Sequence, residues 1–427
     1  MKKYLLAMAG ILVMLAISAC HDKEDKNEVI DWQKPADHTL LMYLVGDNSL
    51  SALLENNVRN AQAALRDSVK SGSLNLVVMK DNDKSGDSFP SLYWVRTDSH
   101  NELDTVMIKR WDKEENTAST EFLAEALDLT FSRFNTTIKG LSLGSHASGW
   151  VPLNNSNQFG SSQRRAFGCD DKVKPVASIE LWDLGATLRG GPKLDYLLMD
   201  CCHMGSAEVA YELRDVARYM VACPTEEEGA GMPYKQLIPA LARLQSASEL
   251  PQVLDYCARA YFNTYARYEA GATMAVYDLR HMDALASAYQ TLITANAERL
   301  KPFKKASSQD IDAWARQFQY YGRDFSGLHN RYYFYDICAI IDWLSTADPA
   351  AAAQATDAAQ RVVISKYNTA VYRGIPITQY TGMAVSLPEV LRLARRSSGY
   401  SAYFSPFDDA KLTTAYHLTA WGSLMGY

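Results

Sequence analysis

The sequence predicts an α/β fold, a mostly parallel sheet flanked by helices, followed by a largely helical C-terminal region. Two patterns carry that expectation. Between His38 and about Tyr234, short apolar runs alternate with amphipathic stretches, the order that lays helices over parallel strands. Two of those runs end on chemistry-bearing residues: Leu141-Ser142-Leu143-Gly144-Ser145 leads into His146, and Leu197-Leu198-Met199-Asp200-Cys201 leads into Cys202. Reactive groups gather at such carboxyl ends of parallel strands.

The chain opens on Met1-Lys2-Lys3 and an apolar run from Tyr4 to Ala19, the charged start and short hydrophobic core of a secretory signal. Spanning a bilayer takes about 20 apolar residues, so this run is too short to do so comfortably. It closes on Ile17-Ser18-Ala19-Cys20, which resembles a bacterial lipobox, with residues 1–19 as the signal peptide and Cys20 as the lipidated residue. Residues 20–37, rich in Asp, Glu, Lys and Asn, carry too little apolar surface to offset ordering and form a flexible acidic tether. The cluster Asp22, Glu24 and Asp25 resembles the acid-rich export signal of Bacteroidetes-type surface lipoproteins. The expectation is an exported protein anchored to the bacterial outer membrane or cell surface, touching the membrane through its N-terminal lipid only.

Thr39 to Val45 reads as a strand, Ser51 to Val69 as a helix and Leu74 to Lys80 as a second strand. Ser91 to Arg96 and Val106 to Trp111 form a hairpin with a polar turn, Ser119 to Phe134 a helix, and Ile138 to Leu143 a strand ending at Gly144. The Gly, Ser and Asn-rich stretch from Gly149 to about Lys174 is too long for a simple connector. A helix over Ser178 to Leu188 leads into the buried strand Leu194 to Met199. Val209, Leu213, Val216 and Met220 then recur at helical spacing, and Tyr219 to Cys223 begins another strand. Residues 38–235 make up the expected catalytic domain. Residues 236–427 form a mainly helical region, with an Ala-rich helix near Pro349 to Ala359. Its two β-like runs, Ala272 to Tyr277 and Thr381 to Leu387, either extend the same sheet or form a separate layer.

Composition narrows the function classes. The net charge of −6 and the lack of a dense Lys/Arg run leave no basic face for nucleic acid, which is excluded as a partner. With Cys20 lipidated, Cys169, Cys201, Cys202, Cys223, Cys257 and Cys338 remain, too irregular for a disulfide framework and without a CxxC pair. A free thiol retained in an exported protein needs a reason, and chemistry is one candidate. A His and a Cys at adjacent strand ends make a base and nucleophile: the imidazole takes the thiol proton and later gives it to the leaving amine. A helix expected from about Met204 places Cys202 near its N-terminus, where the dipole favours a thiolate.

This constellation resembles the clostripain family of cysteine peptidases, of the caspase-like clan, over most of the chain from Leu40. The resemblance rests on Tyr43-Leu44-Val45-Gly46-Asp47-Asn48-Ser49-Leu50, Ser145-His146-Ala147-Ser148-Gly149-Trp150, Arg165-Ala166-Phe167-Gly168 and Asp200-Cys201-Cys202-His203-Met204-Gly205-Ser206. It continues through Pro224-Thr225-Glu226, Gly231-Met232-Pro233-Tyr234 and Gly382-Met383-Ala384-Val385-Ser386-Leu387-Pro388.

The resemblance implies a caspase-like fold, His146 as catalytic histidine and Cys202 as nucleophile, the third residue of a motif that usually reads Asp-Ala-Cys. Alternation along a strand puts Asp200 and Cys202 on one side and Cys201 on the other. Asp200 then floors the pocket for the residue before the cut, and its carboxylate selects Arg or Lys. The run Glu226-Glu227-Glu228 lies where a second pocket carboxylate comes from, with Glu226 and Glu227 as its candidates. The amides of Cys202 and Ala147 are the expected oxyanion donors, although a Gly commonly follows the histidine where Ala147 stands here. Gln163-Arg164-Arg165 sits like a loop that relatives cut in themselves, which predicts autoprocessing after Arg164 or Arg165. No cofactor is required; calcium occurs in the family, and no EF-hand loop places it here. Partners are protein or peptide substrates. Two other readings compete. One is a peptide- or glycan-binding lipoprotein on a degenerate scaffold, using Tyr320, Tyr321, Tyr332, Tyr333 and Tyr335. The other is a metal at Cys201, Cys202 and His203, which consecutive residues rarely hold.

Overall fold

The computed structural model describes residues 36–68, 73–82, 89–97, 102–134, 136–151, 167–173, 176–300, 313–314, 316–321, 334–387 and 409–426. Cys20, Arg164, Arg165, Tyr332 and Tyr333 lie outside these residues. In chain order come β1 (His38–Gly46), α1 (Ser51–Ser68), β2 (Asn75–Asn82), β3 (Ser91–Thr97), β4 (Leu103–Arg110), α2 (Thr120–Phe131) and β5 (Ile138–Gly144). The next are β6 (Phe167–Asp170), β7 (Ala177–Ile179), α3 (Leu181–Gly190), β8 (Leu194–Asp200), α4 (Ala207–Glu212) and β9 (Ala217–Ala222). Beyond them lie α5 (Tyr234–Leu241), α6 (Leu250–Tyr265), β10 (Thr273–Asp278), α7 (Met282–Ala295), β11 (Tyr335–Asp336) and β12 (Val363–Asn368). The last strands are β13 (Val371–Tyr372), β14 (Ile375–Pro376) and β15 (Ala384–Val385).

Among the described residues nine strands form one sheet in the order β12-β10-β9-β8-β5-β1-β2-β3-β4. The central five are parallel, and antiparallel pairs extend both edges. Every residue of β1 is buried, which explains its continuous apolar run: helices cover both faces of the parallel core. The edge strand β4 instead alternates between exposed and half-buried residues. One core layer joins Leu40, Met42, Leu44, Tyr196 and Leu198 of the sheet to Leu54 and Val58 of α1, Leu237 and Leu241 of α5, and Leu254 of α6. Ser119 caps α2 by accepting the Phe122 N–H at 3.2 Å.

Several element boundaries differ from the sequence reading. The face Val209, Leu213, Val216 and Met220 is not one helix: α4 ends at Glu212, and Val216 closes a turn before β9. A strand buried on both faces offers apolar residues at every spacing, so helical periodicity arose there by coincidence. The helix expected from Ser178 starts at Leu181, because residues 177–179 pair as β7 with β6. Ala272 to Tyr277 extends the main sheet as β10, antiparallel to β9. Thr381 to Leu387 does not; only Ala384–Val385 is a strand there, paired with β11. The edge strand β12, which the sequence reading lacks, follows the helix Pro349–Val362 without a break. No helix among the described residues is long and apolar enough to cross a membrane.

Candidate active site

Strand register brings the two chemistry-bearing ends together. Gly144 of β5 pairs with Asp200 of β8, so His146 and Cys202 each lie two residues beyond a paired position, on strands about 4.8 Å apart. β1 has β2 on one side and β5 on the other, and this reversal of strand order opens a crevice at the carboxyl ends. The loop after His146 packs on the turn after Cys202: a Cβ on Gly149, whose φ is +66°, would lie 2.8 Å from the His203 carbonyl. Only glycine permits that approach.

His146 is half-buried, and its Nε2 lies 2.8 Å from Ser49 Oγ. Ser49 belongs to the turn between β1 and α1, which Asn48 fastens. The Asn48 side-chain amide donates to the carbonyls of Val45 (2.9 Å) and Cys169 (2.7 Å), while its oxygen accepts the Leu50 N–H at 2.8 Å. Sequence reasoning quoted Ser49 within a motif without giving it a role; its place at a strand end was the available signal. Ala147 is buried and bridges Phe167 of β6, and the Gly168 N–H donates to the His146 carbonyl at 3.0 Å. Among described non-glycine residues, positive φ occurs at His203 (60°) and Arg373 (43°), so the backbone at position 147 suits alanine.

Cys202 is half-buried, and its Sγ accepts the Glu227 N–H at 3.2 Å. The helix expected from Met204 begins at Ala207, capped by Ser206, too far on for its dipole to act within the first turn. Burial, and then the Glu226 carboxylate, push the Cys202 thiol up to about 12, against a weaker pull from the Glu227 N–H. That direction is opposite to the one a helix N-terminus at Met204 would give, and the helix start expected there is corrected to Ala207. Cys201 is 2% exposed, and burial holds its thiol well above its ordinary range.

Beside the thiol lies an acidic recess. Asp200 is buried; its Oδ1 accepts the Met232 N–H at 2.7 Å and its Oδ2 the Tyr234 hydroxyl at 2.8 Å. Burial raises Asp200 to about 6 despite these bonds. Glu227 turns its carboxylate inward, 6% exposed, with neither oxygen hydrogen-bonded. Burial first, and Asp200 second, lift it well above the carboxylate range. Gly231 and Asn57 close the recess: a Cβ on Gly231 (φ +70°) would lie 2.5 Å from Asp200 Oδ1 and 2.8 Å from Asn57 Nδ2. Glu226 pairs with Arg373 at 2.6 Å, on the turn between β13 and β14, and its carboxylate acts on the Cys202 thiol rather than on Asp200. The structure thus brings Glu227 rather than Glu226 to Asp200. Adjacent residues in an extended loop point to opposite sides, and sequence could not say which faced in.

A buried network joins the histidine loop to the helix after the nucleophile. Glu208 Oε1 accepts the Ser386 N–H at 2.8 Å and the Tyr416 hydroxyl at 3.0 Å; Trp150 Nε1 donates to Ser386 Oγ at 2.8 Å and packs edge-on against Tyr416. Burial raises Glu208 from 4.5 to about 7, so the fold favours its protonated form. Its stabilising contribution is complete below about 4.5 and is lost as pH rises through 7, a swing on the order of 3 kcal/mol. Glu208→Gln should flatten the pH dependence of stability across this window, measured by urea unfolding at successive pH values. An unchanged slope would assign the dependence to other groups.

The competing site readings find less support in the geometry. Tyr321 and Tyr335 are buried, and the Tyr321 hydroxyl donates to the buried Asp336, which makes them core rather than a binding face. The His203 ring stacks on Phe334, and Cys201, Cys202 and His203 do not bring three ligand atoms together.

A model of the clostripain family matches residues 42–427. No curated protein matches at a significant level. Among solved structures, the chain is similar to a secreted C11 cysteine protease from Bacteroides thetaiotaomicron in complex with an irreversible peptide inhibitor. The TM-score is 0.68 at 21% identity, covering 91% of this chain and 99% of that one. It is also similar to an inactive zymogen C11 protease from Parabacteroides distasonis, with a TM-score of 0.68 at 22% identity over 92% and 98% of the two chains. These likenesses show the fold.

Proposed function

This chain belongs to the clostripain family and is a cysteine peptidase, and from that premise we propose that it cleaves after arginine or lysine, with Cys202 as nucleophile and His146 as base. The observation that carries the specificity is the inward Glu227 carboxylate, buried without a hydrogen-bond donor beside Asp200. Burying two carboxylates together is costly unless a cation joins them. A guanidinium or ammonium entering beside Cys202 would supply it.

The reaction follows from these positions. His146 takes the Cys202 proton as the sulfur attacks the scissile carbonyl, in keeping with a thiol that burial pushes up. The amides of Cys202 and Ala147 receive the oxyanion. Imidazolium then protonates the leaving amine, leaving a thioester; His146 next deprotonates water, which releases the acid and restores the thiol. Ser49 holds the ring from the side of β1. Ser49→Ala should therefore lower kcat about tenfold with KM little changed, since positioning acts on the chemical step. An unchanged kcat in steady-state assays would remove that role.

Two further parts of the proposal rest on sequence. Arg164 or Arg165 is the self-cleavage site, in the segment between the dyad strands and immediately before β6, whose Phe167 bridges Ala147. A Cys202→Ala chain should stay intact where the parent is cut, as N-terminal sequencing of the fragments would show. Cys20 carries the lipid that anchors an exported chain, and mass spectrometry of the mature N-terminus tests it.

The direct test of specificity is hydrolysis of matched peptides with Arg, Lys, Ala or Asp before the scissile bond. Cleavage confined to Arg and Lys is the expected result; cleavage of the Ala peptide at an equal rate would overturn the acidic pocket.

A further inference from the structure

We propose that Arg373, at the tip of the β13–β14 hairpin, is a positioning residue of the peptidase reaction: it holds the Glu226 carboxylate in an ion pair beside Cys202, so that the sulfur becomes an anion next to a neutralised pair rather than a bare charge. The hairpin marks the residue out. Tyr372 of β13 pairs with Ile375 of β14, which leaves Arg373 and Gly374 as a two-residue turn. Both have positive φ, 43° and 77°. Such a turn favours Asn-Gly or Asp-Gly, because a longer side chain strains the left-handed backbone. Arginine gains nothing from the turn, so its reason lies in what the side chain reaches. The other described non-glycine residue with positive φ, His203, directly follows Cys202.

Arg373 Nη1 lies 2.6 Å from Glu226 Oε2. The Glu227 N–H, on the peptide that joins Glu226 to Glu227, donates to Cys202 Sγ at 3.2 Å, so the acidic residue's own peptide sits on the sulfur. The hydroxyl of the buried Tyr372 donates to the Glu226 carbonyl at 2.9 Å. The hairpin is held in turn on the segment before β10. There the Arg373 N–H donates to the Ala270 carbonyl at 2.8 Å, and the Val371 carbonyl accepts the Thr369 hydroxyl at 2.7 Å. Backbone and side-chain bonds thus fix both members of the ion pair relative to the thiol.

The charges that meet at the thiol are Glu226 and Glu227, which oppose its ionisation, and Arg373, which favours it. Arg373 also faces Glu228 and the Tyr372 hydroxyl. Passing the thiol proton to His146 during attack leaves the sulfur negative, so the carboxylates raise that barrier and the guanidinium lowers it. The Arg373 and Glu226 side chains are 32% and 25% exposed, so water screens the pair only in part. The role in the reaction rests on the reading of Cys202 as nucleophile; the action of the pair on the thiol does not.

The test reads the Cys202 thiol directly in the full mature chain, as the second-order rate of its alkylation by iodoacetamide between about pH 7 and 9, where the thiolate fraction sets the rate. Peptide mass spectrometry assigns the label to Cys202. Arg373→Asn should react about tenfold more slowly across the range. Asparagine suits the turn, so the unfolding midpoint of this variant should stay within about 4 °C of the parent's. Arg373→Lys keeps the charge and should react within about threefold of the parent. Glu226→Gln should react faster than the parent, and the double variant Arg373→Asn, Glu226→Gln should return to within about threefold of it, which a displaced hairpin would not do. In hydrolysis of an arginine peptide, Arg373→Asn should lower kcat about tenfold with KM within about threefold. Alkylation of Arg373→Asn at the parent rate, or a double variant as slow as Arg373→Asn alone, would overturn the proposal. Cys202→Ala keeps two failures apart: hydrolysis that survives it overturns the nucleophile reading and this role with it, whereas alkylation indifferent to Arg373 overturns the role alone.

Discussion

Replacing Cys202 with alanine should lower kcat/KM for an arginine substrate by at least about 10⁴-fold, the usual cost of losing one member of a nucleophile and base pair. His146→Ala should cost a similar amount, and the double variant little more, because the two act as a unit. The register of β5 against β8 makes the claim specific, since Gly144 pairs with Asp200 and the two strands that lead into His146 and Cys202 end side by side. Cys201 is buried. Cys201→Ala should therefore keep kcat within a few-fold of the parent and show its cost in stability, about 1 kcal/mol for a small buried group. Steady-state assays of the four variants, each with its unfolding midpoint, separate these outcomes. Activity lost with Cys201 and kept with Cys202 would place the nucleophile one residue earlier.

The second large effect belongs to Glu227. Glu227→Gln should reduce kcat/KM for arginine substrates by about a hundredfold, from roughly 3 kcal/mol lost when one partner of a buried charge pair is neutralised. Cleavage of a matched glutamine peptide should change little, so the loss appears as selectivity rather than as general inactivity. Glu226→Gln should have a smaller effect, because Glu226 is engaged by Arg373. The recess also predicts a pH dependence. Asp200 is raised to about 6, so its charge, and with it the attraction for a cation, disappears as pH falls through that value. KM for arginine substrates should rise below about pH 6 and stay flat for uncharged ones, and Asp200→Asn should remove the difference. A profile identical for charged and uncharged substrates would dissociate Asp200 from recognition.

Much of the scaffold was legible in the sequence because burial writes itself into residue type. The buried runs His38–Gly46, Ile138–Gly144 and Leu194–Asp200 are strands, and the candidate histidine and cysteine follow two of them directly. Legibility failed where burial was uniform or structure was short. Val209 to Met220 is apolar at several spacings at once, and β12 is a half-exposed edge strand with no strong period. Ser49 and Asn57 were missed as site residues because each is a small polar residue on or beside α1, significant only through what it meets across space.

The sequence by itself determined the order of the elements, the two strand ends that carry His146 and Cys202, and the alternation that sets Asp200 apart from Cys201. All of these depend on neighbours along the chain, where backbone geometry fixes direction. Only the tertiary structure decided that Glu227 rather than Glu226 joins Asp200, and that burial raises the Cys202 thiol. Charge interactions depend on distance and on the exclusion of water, and both are set by segments remote in sequence folding onto one another.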